Sequence, residues 1–442
     1  MLHIPLLAQI PTTVYSADEV VSPYIYVFYA AFIVSFIFTP IMQTVAVHYG
    51  IIDEPDNKRK MHNAPVAYLG GVAVFLGWIT AMAASQFLQL HRTEPGLLPH
   101  LRVPFSIIVG ASAIVLLGLW DDTQHIQPWM KIAGQIFAAG CLLFEGVGTR
   151  SLAPLLAPIA SRLEVYFHWT ISNTHWYPWL VVISSSILTV VVVVGCCNAT
   201  NLMDGLDGLC GGVTAVIAAG FLFLAIHLAM YGGAINSNAD ALRMVLGLAL
   251  LGALLGFIPY NFNPASIFMG DAGSMFLGFS CATLIILFAQ ERPKWFLASM
   301  VMFALPVLDT LLAFARRYVN GRPLFSADRF HFHHQLVARG LTVRKTVLVI
   351  YSIAIGFTLL GAAIVFVRTR YAVAMYLVVF GSIIVAAYKM GMVHEKPRVV
   401  KPSGIDSDDV TTPVREIDSA NVLEIEDPRE KDREKETSGR IR

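Results

Sequence analysis

The sequence predicts an all-α, polytopic integral membrane protein, and three observations carry that prediction. Hydrophobic residues make up 56% of the 442-residue chain and charged residues only 14%, against about 25% charged in soluble domains. The apolar residues are gathered into long unbroken runs separated by short polar breaks. The runs show no period-two alternation, which excludes a β-barrel.

A spanning helix needs roughly 20 predominantly apolar residues, and eleven such runs follow one another. The first, at 23–47, ends at a break holding Asp53-Glu-Pro and Lys58-Arg59-Lys60. The second, 66–85, contains the Gly70-Gly71 pair. The third, 104–120, stops at Asp121-Asp122, and the fourth occupies 129–146. The break at 147–177 is the longest on its face and holds Tyr166, Trp169, Trp176 and Tyr177, residue types that anchor helices at a membrane interface. The fifth run, 178–197, gives way to Asn198-Ala-Thr-Asn201-Leu-Met-Asp204-Gly-Leu-Asp207-Gly208. Runs six and seven lie at 212–230 and 242–260. Asn263-Pro-Ala-Ser-Ile-Phe-Met-Gly270-Asp271-Ala-Gly273-Ser274 introduces run eight, at 274–290. Run nine, 296–315, leads into Arg316, Arg317, Arg322, Asp328 and Arg329, and then His331-Phe-His333-His334. Runs ten and eleven, at 346–366 and 371–390, complete a transmembrane domain over 1–390, which holds all of these motifs. Residues 391–442 are dense in Lys, Arg, Asp and Glu and poor in aromatics, and are expected to form a disordered, charged cytoplasmic tail. The first residues lack a basic n-region and a cleavage pattern, so no removable signal peptide is expected.

Parity organises the breaks. Those after runs one, three, five, seven and nine hold all the acidic and histidine motifs, so these motifs share one membrane face. Both dense basic clusters fall on that face as well, which makes it cytoplasmic by the positive-inside rule. The N-terminus is then outside and the C-terminus inside. The net charge of +1 gives no basic field and excludes a nucleic-acid partner. Five cysteines, at 141, 196, 197, 210 and 281, include no CxxC pair, so neither a zinc site nor a disulfide framework is expected.

Ionisable groups at a membrane edge are costly and mark function. Each motif nonetheless has a plainer explanation. Asp121 and Asp122 end a helix in water equally well, although two adjacent carboxylates ask for a nearby cation or proton. Asp204 and Asp207, at i and i+3, share one face if their segment is helical, and Gly205 and Gly208 admit a ligand close to the backbone; a glycine-rich turn with solvated aspartates is the alternative. Asp271 at the start of a helix is favourable on dipole grounds alone. Three histidines in four residues beside an arginine cluster fit phosphate recognition. Mg²⁺ prefers carboxylate and phosphate oxygens, which assigns the histidines to substrate rather than to metal. Carboxylates for Mg²⁺, cations for phosphates and glycines for backbone approach together equip a site for phosphoryl transfer.

These residues resemble the polyprenyl-phosphate N-acetylhexosamine-1-phosphate transferases. The resemblance runs from about Asp53 to Tyr351. It includes Asp53-Glu-Pro, Arg59-Lys60-Met-His62, Gly70-Gly71, Asp121-Asp122, the Asn198–Gly208 segment, Phe268-Met-Gly-Asp-Ala-Gly-Ser and Pro306-Val-Leu-Asp309. It implies transfer of a sugar 1-phosphate from a UDP-N-acetylhexosamine to undecaprenyl phosphate with release of UMP, in the bilayer of a bacterial inner membrane. It implies Mg²⁺, or Mn²⁺ in its place, as cofactor, and it is compatible with a homodimer. Carried over residue by residue, it makes Asp121, Asp122, Asp204, Asp207, His333 and His334 catalytic. Lys60, Asn198, Asn201, His331 and Arg316 become substrate contacts, and Asp271 and Asp204 metal ligands. One departure is His125, where relatives often carry a third aspartate.

The branch that takes UDP-MurNAc-pentapeptide shows three consecutive histidines. Here Phe332 interrupts the run, which resembles the UDP-GlcNAc branch serving O-antigen, enterobacterial common antigen, teichoic acid or capsule. Three other classes fit less well. A CDP-alcohol phosphotransferase needs Ala-Arg two residues after Asp-Gly, and an intramembrane aspartyl protease needs Gly-x-Gly-Asp with Tyr-Asp; neither pattern occurs. A transporter binds near the bilayer midplane and often carries internal repeats, whereas these ionisable groups gather at one edge.

Overall fold

The computed structural model describes residues 16–53, 65–90, 101–168, 170–172, 174–231, 238–321 and 331–389. Lys58, Arg59, Lys60, His62, Trp169, Arg322, Asp328, Arg329 and the tail from 390 onward lie outside the described residues.

In chain order the elements are α1 (Ala17–Val21), a 3₁₀ turn (Ser22–Tyr24), α2 (Ile25–Tyr49), β1 (Ile52–Asp53), β2 (Val66–Ala67), α3 (Gly70–Leu90), α4 (Phe105–Gln124), α5 (Pro128–Phe144), α6 (Ala153–Phe167), α7 (Trp176–Met203), α8 (Leu209–Tyr231), α9 (Asn238–Asn261), α10 (Gly270–Ala289), α11 (Pro293–Met302), α12 (Ala304–Val319), α13 (Phe332–Ala338), α14 (Val343–Phe366) and α15 (Thr369–Lys389). The fold is all-α and polytopic, relieved only by the two-residue antiparallel pairing of β1 with β2.

Every predicted run falls on a helix, but the span count differs. Among the described residues eight helices are long and apolar enough to cross a membrane, or nine if the bent pair α11–α12 forms one span. Eleven is not reached, because α5 is only 17 residues long and α15 is not among the eight. Run nine is not one straight helix: α11 and α12 meet at a 71° bend. Pro306 lacks the N–H that would donate to Met302, so the ladder breaks there. The break at 147–177 also contains a helix, α6, which the aromatic count alone did not reveal.

The centre of the molecule is α10, whose apolar window is 100% buried among α3, α4, α7, α8, α9 and α11. Lipid supplies no hydrophobic drive between helices, so close contact rests on small residues. A Cβ on Gly118 of α4 would strike the backbone of Ala272, and one on Gly71 of α3 the backbone of Gly273. Both contacts lie in the first turn of α10 and draw α3 and α4 onto it. The chain preceding α10 is also zipped to the start of α3. Phe268 N donates to Ala67 O at 2.8 Å, Gly70 N to Phe268 O at 2.9 Å and Gly71 N to Met269 O at 2.8 Å. The N-terminus of this central helix is thereby fixed where the motifs meet.

Candidate active site

The site is built on the first turn of α10. Gly270 has φ +71°, a conformation that favours glycine, and it turns the chain into the helix. The free N–H groups at this end need acceptors, and Asp122 supplies both. Its Oδ1 accepts from Asp271 N at 2.7 Å and its Oδ2 from Ala272 N at 3.1 Å. Asp122 reaches across from the last turn of α4 and serves as the cap of another helix.

Asp121, one residue earlier, points elsewhere. Its Oδ1 accepts from Ile126 N at 2.9 Å, while its Oδ2 pairs with the Lys131 ammonium. The same ammonium lies 2.6 Å from Asp271 Oδ2. Asn201 also stands beside the Asp271 carboxylate, and its Nδ2 donates to Ser274 Oγ at 3.1 Å. Two carboxylates from α4 and α10 thus converge on one cation from α5.

Asp204 closes this acidic group from the end of α7. No hydrogen bond reaches its carboxylate among the described residues. Burial, reinforced by the charges of Asp271, Asp122 and Asp207, pushes its pKa up to about 8. Tyr68, on the segment leading into α3, has its hydroxyl pushed well above the usual range by burial and by Asp53, Asp122 and Asp271. Tyr68 therefore lies against the same negative field.

The expectation that Asp204 and Asp207 share a helical face is not met. α7 continues through Met203, since Asn198–Met203 contains neither Gly nor Pro, and Gly205 and Gly208 then open a turn before α8. Asp207 faces the loop ahead of α10, where its Oδ2 accepts from Asn263 Nδ2 at 2.8 Å and from Ala265 N at 3.1 Å. Asn198 also turns away from the carboxylates. Its Nδ2 donates to Gln135 Oε1 at 2.7 Å and to Val194 O at 2.8 Å, tying α7 to α5.

The histidines are organised by Asp309 of α12. His331 Nδ1 lies 3.1 Å from Asp309 Oδ2, and Phe332 N donates to Oδ1 at 2.9 Å. The His333 ring is 2% exposed, with its Nδ1 4.0 Å from the same carboxylate. Its buried Nε2 has no hydrogen-bond partner among the described residues and faces Gly205, where a Cβ would collide with it. The histidine segment therefore closes against the Asp204 turn. Burial, then the neighbouring His334, lowers the His333 pKa to about 3, with Asp309 opposing. His333 is neutral at pH 7. His334 packs against His333 with ring centroids 4.3 Å apart. Arg316 is buried in the last turn of α12, and Lys60 lies outside the described residues.

The sequence motifs assign no role to Lys131, Asp309, Gln135 or Tyr68. A signal for Lys131 was available. It is the single lysine between Lys60 and Lys294, set where an apolar run begins, and such a residue marks function by default.

The donor chemistry suits Mg²⁺. Among the described residues no three His, Cys, Asp or Glu side chains are arranged to hold an ion by themselves. Mg²⁺, however, is commonly held by one or two carboxylates with waters and substrate phosphates. Asp121 and Asp271 already converge on one cation.

Residues 104–289, which include α4, α10 and all four of these aspartates, match the model for glycosyl transferase family 4. The chain is 34% identical over 377 residues to the probable undecaprenyl-phosphate N-acetylglucosaminyl 1-phosphate transferase of Bacillus subtilis, covering 83% of this chain and 93% of the relative. It is 33% identical over 374 residues to the decaprenyl-phosphate N-acetylglucosaminephosphotransferase of Mycobacterium tuberculosis, covering 80% and 85%. The phospho-N-acetylmuramoyl-pentapeptide-transferase of Lacticaseibacillus paracasei is 30% identical over 234 residues, covering 50% and 63%. With a family match over its central helices and a likeness to a relative that runs through most of its length, the chain belongs to glycosyl transferase family 4 and is a multi-pass membrane transferase.

Proposed function

We propose that this protein transfers N-acetylhexosamine 1-phosphate, with GlcNAc 1-phosphate foremost, from a UDP-sugar to undecaprenyl phosphate at the cytoplasmic face of a bacterial inner membrane. One observation carries the reading: carboxylates from α4 and α10 meet on a single cation position at a membrane edge. A site there is reached by a lipid phosphate from the bilayer and by a nucleotide sugar from water. The names of the relatives with the greater coverage support GlcNAc over a peptide-bearing donor.

An oxygen of the lipid phosphate attacks the β-phosphorus of the donor. The bond from that phosphorus to the α–β bridging oxygen breaks, and UMP leaves with the electron pair. A phosphate monoester has its second pKa near ~6, so the acceptor is largely dianionic at pH 7 and the reaction needs little general-base help. Asp271 and Asp121 would hold Mg²⁺, which would supply neutralisation of the charge on the phosphoryl oxygens. Asp122 is spent on the α10 amides and keeps Asp271 in place. Asp204, its carboxyl pushed up by burial and by the charges of Asp271, Asp122 and Asp207, would join Asp271 and Asp121 as a further ligand. His331, His333 and His334 close the sugar end.

The test is UMP release by the purified protein with undecaprenyl phosphate and a panel of UDP-sugars, with and without EDTA. Turnover of UDP-GlcNAc that stops on chelation is the expected result. Turnover confined to UDP-MurNAc-pentapeptide moves the chain to the peptidoglycan branch, and failure of every UDP-sugar removes the reading.

A further inference from the structure

Lys131 occupies the place that the proposed function gives to a metal ion, and that position has a consequence for how the site fills. The lysine stands in the first turn of α5. Its ammonium contacts Asp121 Oδ2 and lies 2.6 Å from Asp271 Oδ2. Among the described residues no other cation bridges those two oxygens: the remaining Asp121 oxygen is taken by Ile126 N, and Asp122 is committed to the α10 backbone. Four carboxylates, Asp121, Asp122, Asp204 and Asp271, crowd the first turn of α10. Lys131 is the cation that bridges two of them.

We propose that Lys131 is the built-in counter-ion of the acidic site, bound in exchange with the divalent cation, so that metal entry displaces its ammonium from Asp121 and Asp271. The inference rests on the metal reading given above. Three features favour exchange over a fixed ion pair. The Lys131 side chain keeps 20% of its surface exposed and Asp271 keeps 29%, so the pair opens to water without unpacking the core. An ammonium on a four-carbon stem is a mobile point charge without the fixed fork of a guanidinium. A divalent ion also neutralises the two carboxylates fully, where one ammonium leaves a net negative charge. Without an internal cation, the empty site would hold adjacent carboxylates in a partly buried place, which is costly. Lys131 lowers that cost and correspondingly weakens the metal. The displaced ammonium remains tethered beside the site, where an anionic donor phosphate gives it a new partner.

Mn²⁺ binding tests this directly, without substrates or turnover. The full-length protein is placed in phosphatidylcholine nanodiscs and bound Mn²⁺ is measured by electron paramagnetic resonance. Lys131→Met removes the competitor and should tighten Mn²⁺ at least about tenfold, as expected for deleting a unit positive charge next to the ion. Lys131→Arg keeps the charge and should bind no more tightly than the wild type, and Asp271→Asn should abolish the site. The rise in Tm on adding Mn²⁺ should be larger for Lys131→Met than for the wild type. Lys131→Gln, which keeps a donor to Asp271 without charge, serves the same purpose if the methionine variant does not extract in folded form. Unchanged or weaker Mn²⁺ binding in the uncharged variants overturns the counter-ion role while leaving the metal reading intact. Mn²⁺ binding that is absent, or indifferent to Asp271, in every form overturns both.

Discussion

At each end of α10 one cation bridges two carboxylates, and the two bridges differ in kind. At the far end Arg243 of α9 sits between Asp240 and Glu291, as Lys131 sits between Asp121 and Asp271 at the motif end. The guanidinium is 1% exposed. Its Nη1 reaches Asp240 Oδ1 at 2.7 Å, its Nη2 pairs with Glu291, and its Nε and Nη2 donate to Leu287 O at 3.3 and 3.1 Å. It also lies over the Phe288 ring at 5.8 Å. A planar fork matched to several fixed acceptors is a lock, and a cation at a helix C-terminus gains from the dipole. At the motif end a point charge on a flexible stem, partly exposed, holds carboxylates that outnumber it. One cation closes the helix end; the other keeps a place for something stronger.

The sharpest break of this comparison is one substitution at each end. Asp271→Asn keeps shape and removes charge at the motif end. Loss of a ligand for charge neutralisation in phosphoryl transfer is expected to lower turnover on the order of 10²-fold or more, with Tm close to the wild type, since the helix cap from Asp122 is intact. Near-normal turnover would assign Asp271 to capping alone. Arg243→Met does the reverse. Removing one partner of a buried ionic group costs about 3 kcal/mol or more, so Tm should fall by several degrees while the folded fraction retains its turnover per molecule. A variant with wild-type Tm and impaired turnover would erase the distinction between the two ends.

Much of the fold was legible in the residues, for a physical reason. Apolar runs must be helical in lipid because every backbone group has to be paired internally, so each run found its helix. Parity then set Asp121, Asn201, Asp204, Asp271 and His331 on one face, and the structure brings the first four to one helix end. Direction was less legible. Asp121 and Asp122 are adjacent in sequence yet serve different partners, because successive residues on a helix point about 100° apart. Asp207 looked like the twin of Asp204 and is instead the latch of the loop ahead of α10. The bend at Phe303 was hidden inside an apolar run, although Pro306 carried the warning. Lys131 and Arg243 have the same property in sequence, a lone cation in an apolar context. Only their partners tell lock from exchangeable charge.

A smaller effect tests how tightly the motif end is built. Gly118 of α4 lies three residues before Asp121, and a Cβ there meets the Ala272 backbone. Gly118→Ala should push α4 off the first turn of α10. The expected cost is about 1–3 kcal/mol for overpacking, read as a lower Tm, and turnover should fall with it because Asp121 and Asp122 both ride on α4. Alanine at the exposed Gly140 of α5, where a Cβ meets nothing within 4 Å, is the matched control and should change neither. Equal behaviour of the two variants would mean that the α4–α10 contact does not set the site.

The least effect is expected in the pH dependence of stability, and it separates the histidine segment from the acidic cluster. His333 is neutral in the folded protein, its pKa lowered from an ordinary 6.5 to about 3 by burial and by His334. The unfolded chain therefore takes up a proton near pH 6.5 that the folded chain refuses until about pH 3. Stability owed to this group is complete above about pH 6.5 and drains away as pH falls toward 3. His331, His334 and Asp309 face His333 and are common to the wild type and to His333→Gln, so the difference between the two reads His333. At pH 7.5 the glutamine variant should melt below the wild type, having lost a packed ring. By pH 5 the gap should narrow, because only the wild type carries the proton penalty. Thermal unfolding followed by tryptophan fluorescence at pH 7.5, 6.5, 5.5 and 5.0 measures it. Parallel curves for the two proteins would show that His333 takes its proton without cost, and that its ring is not held in the dry contact with Gly205 from which the closure of the histidine segment is argued.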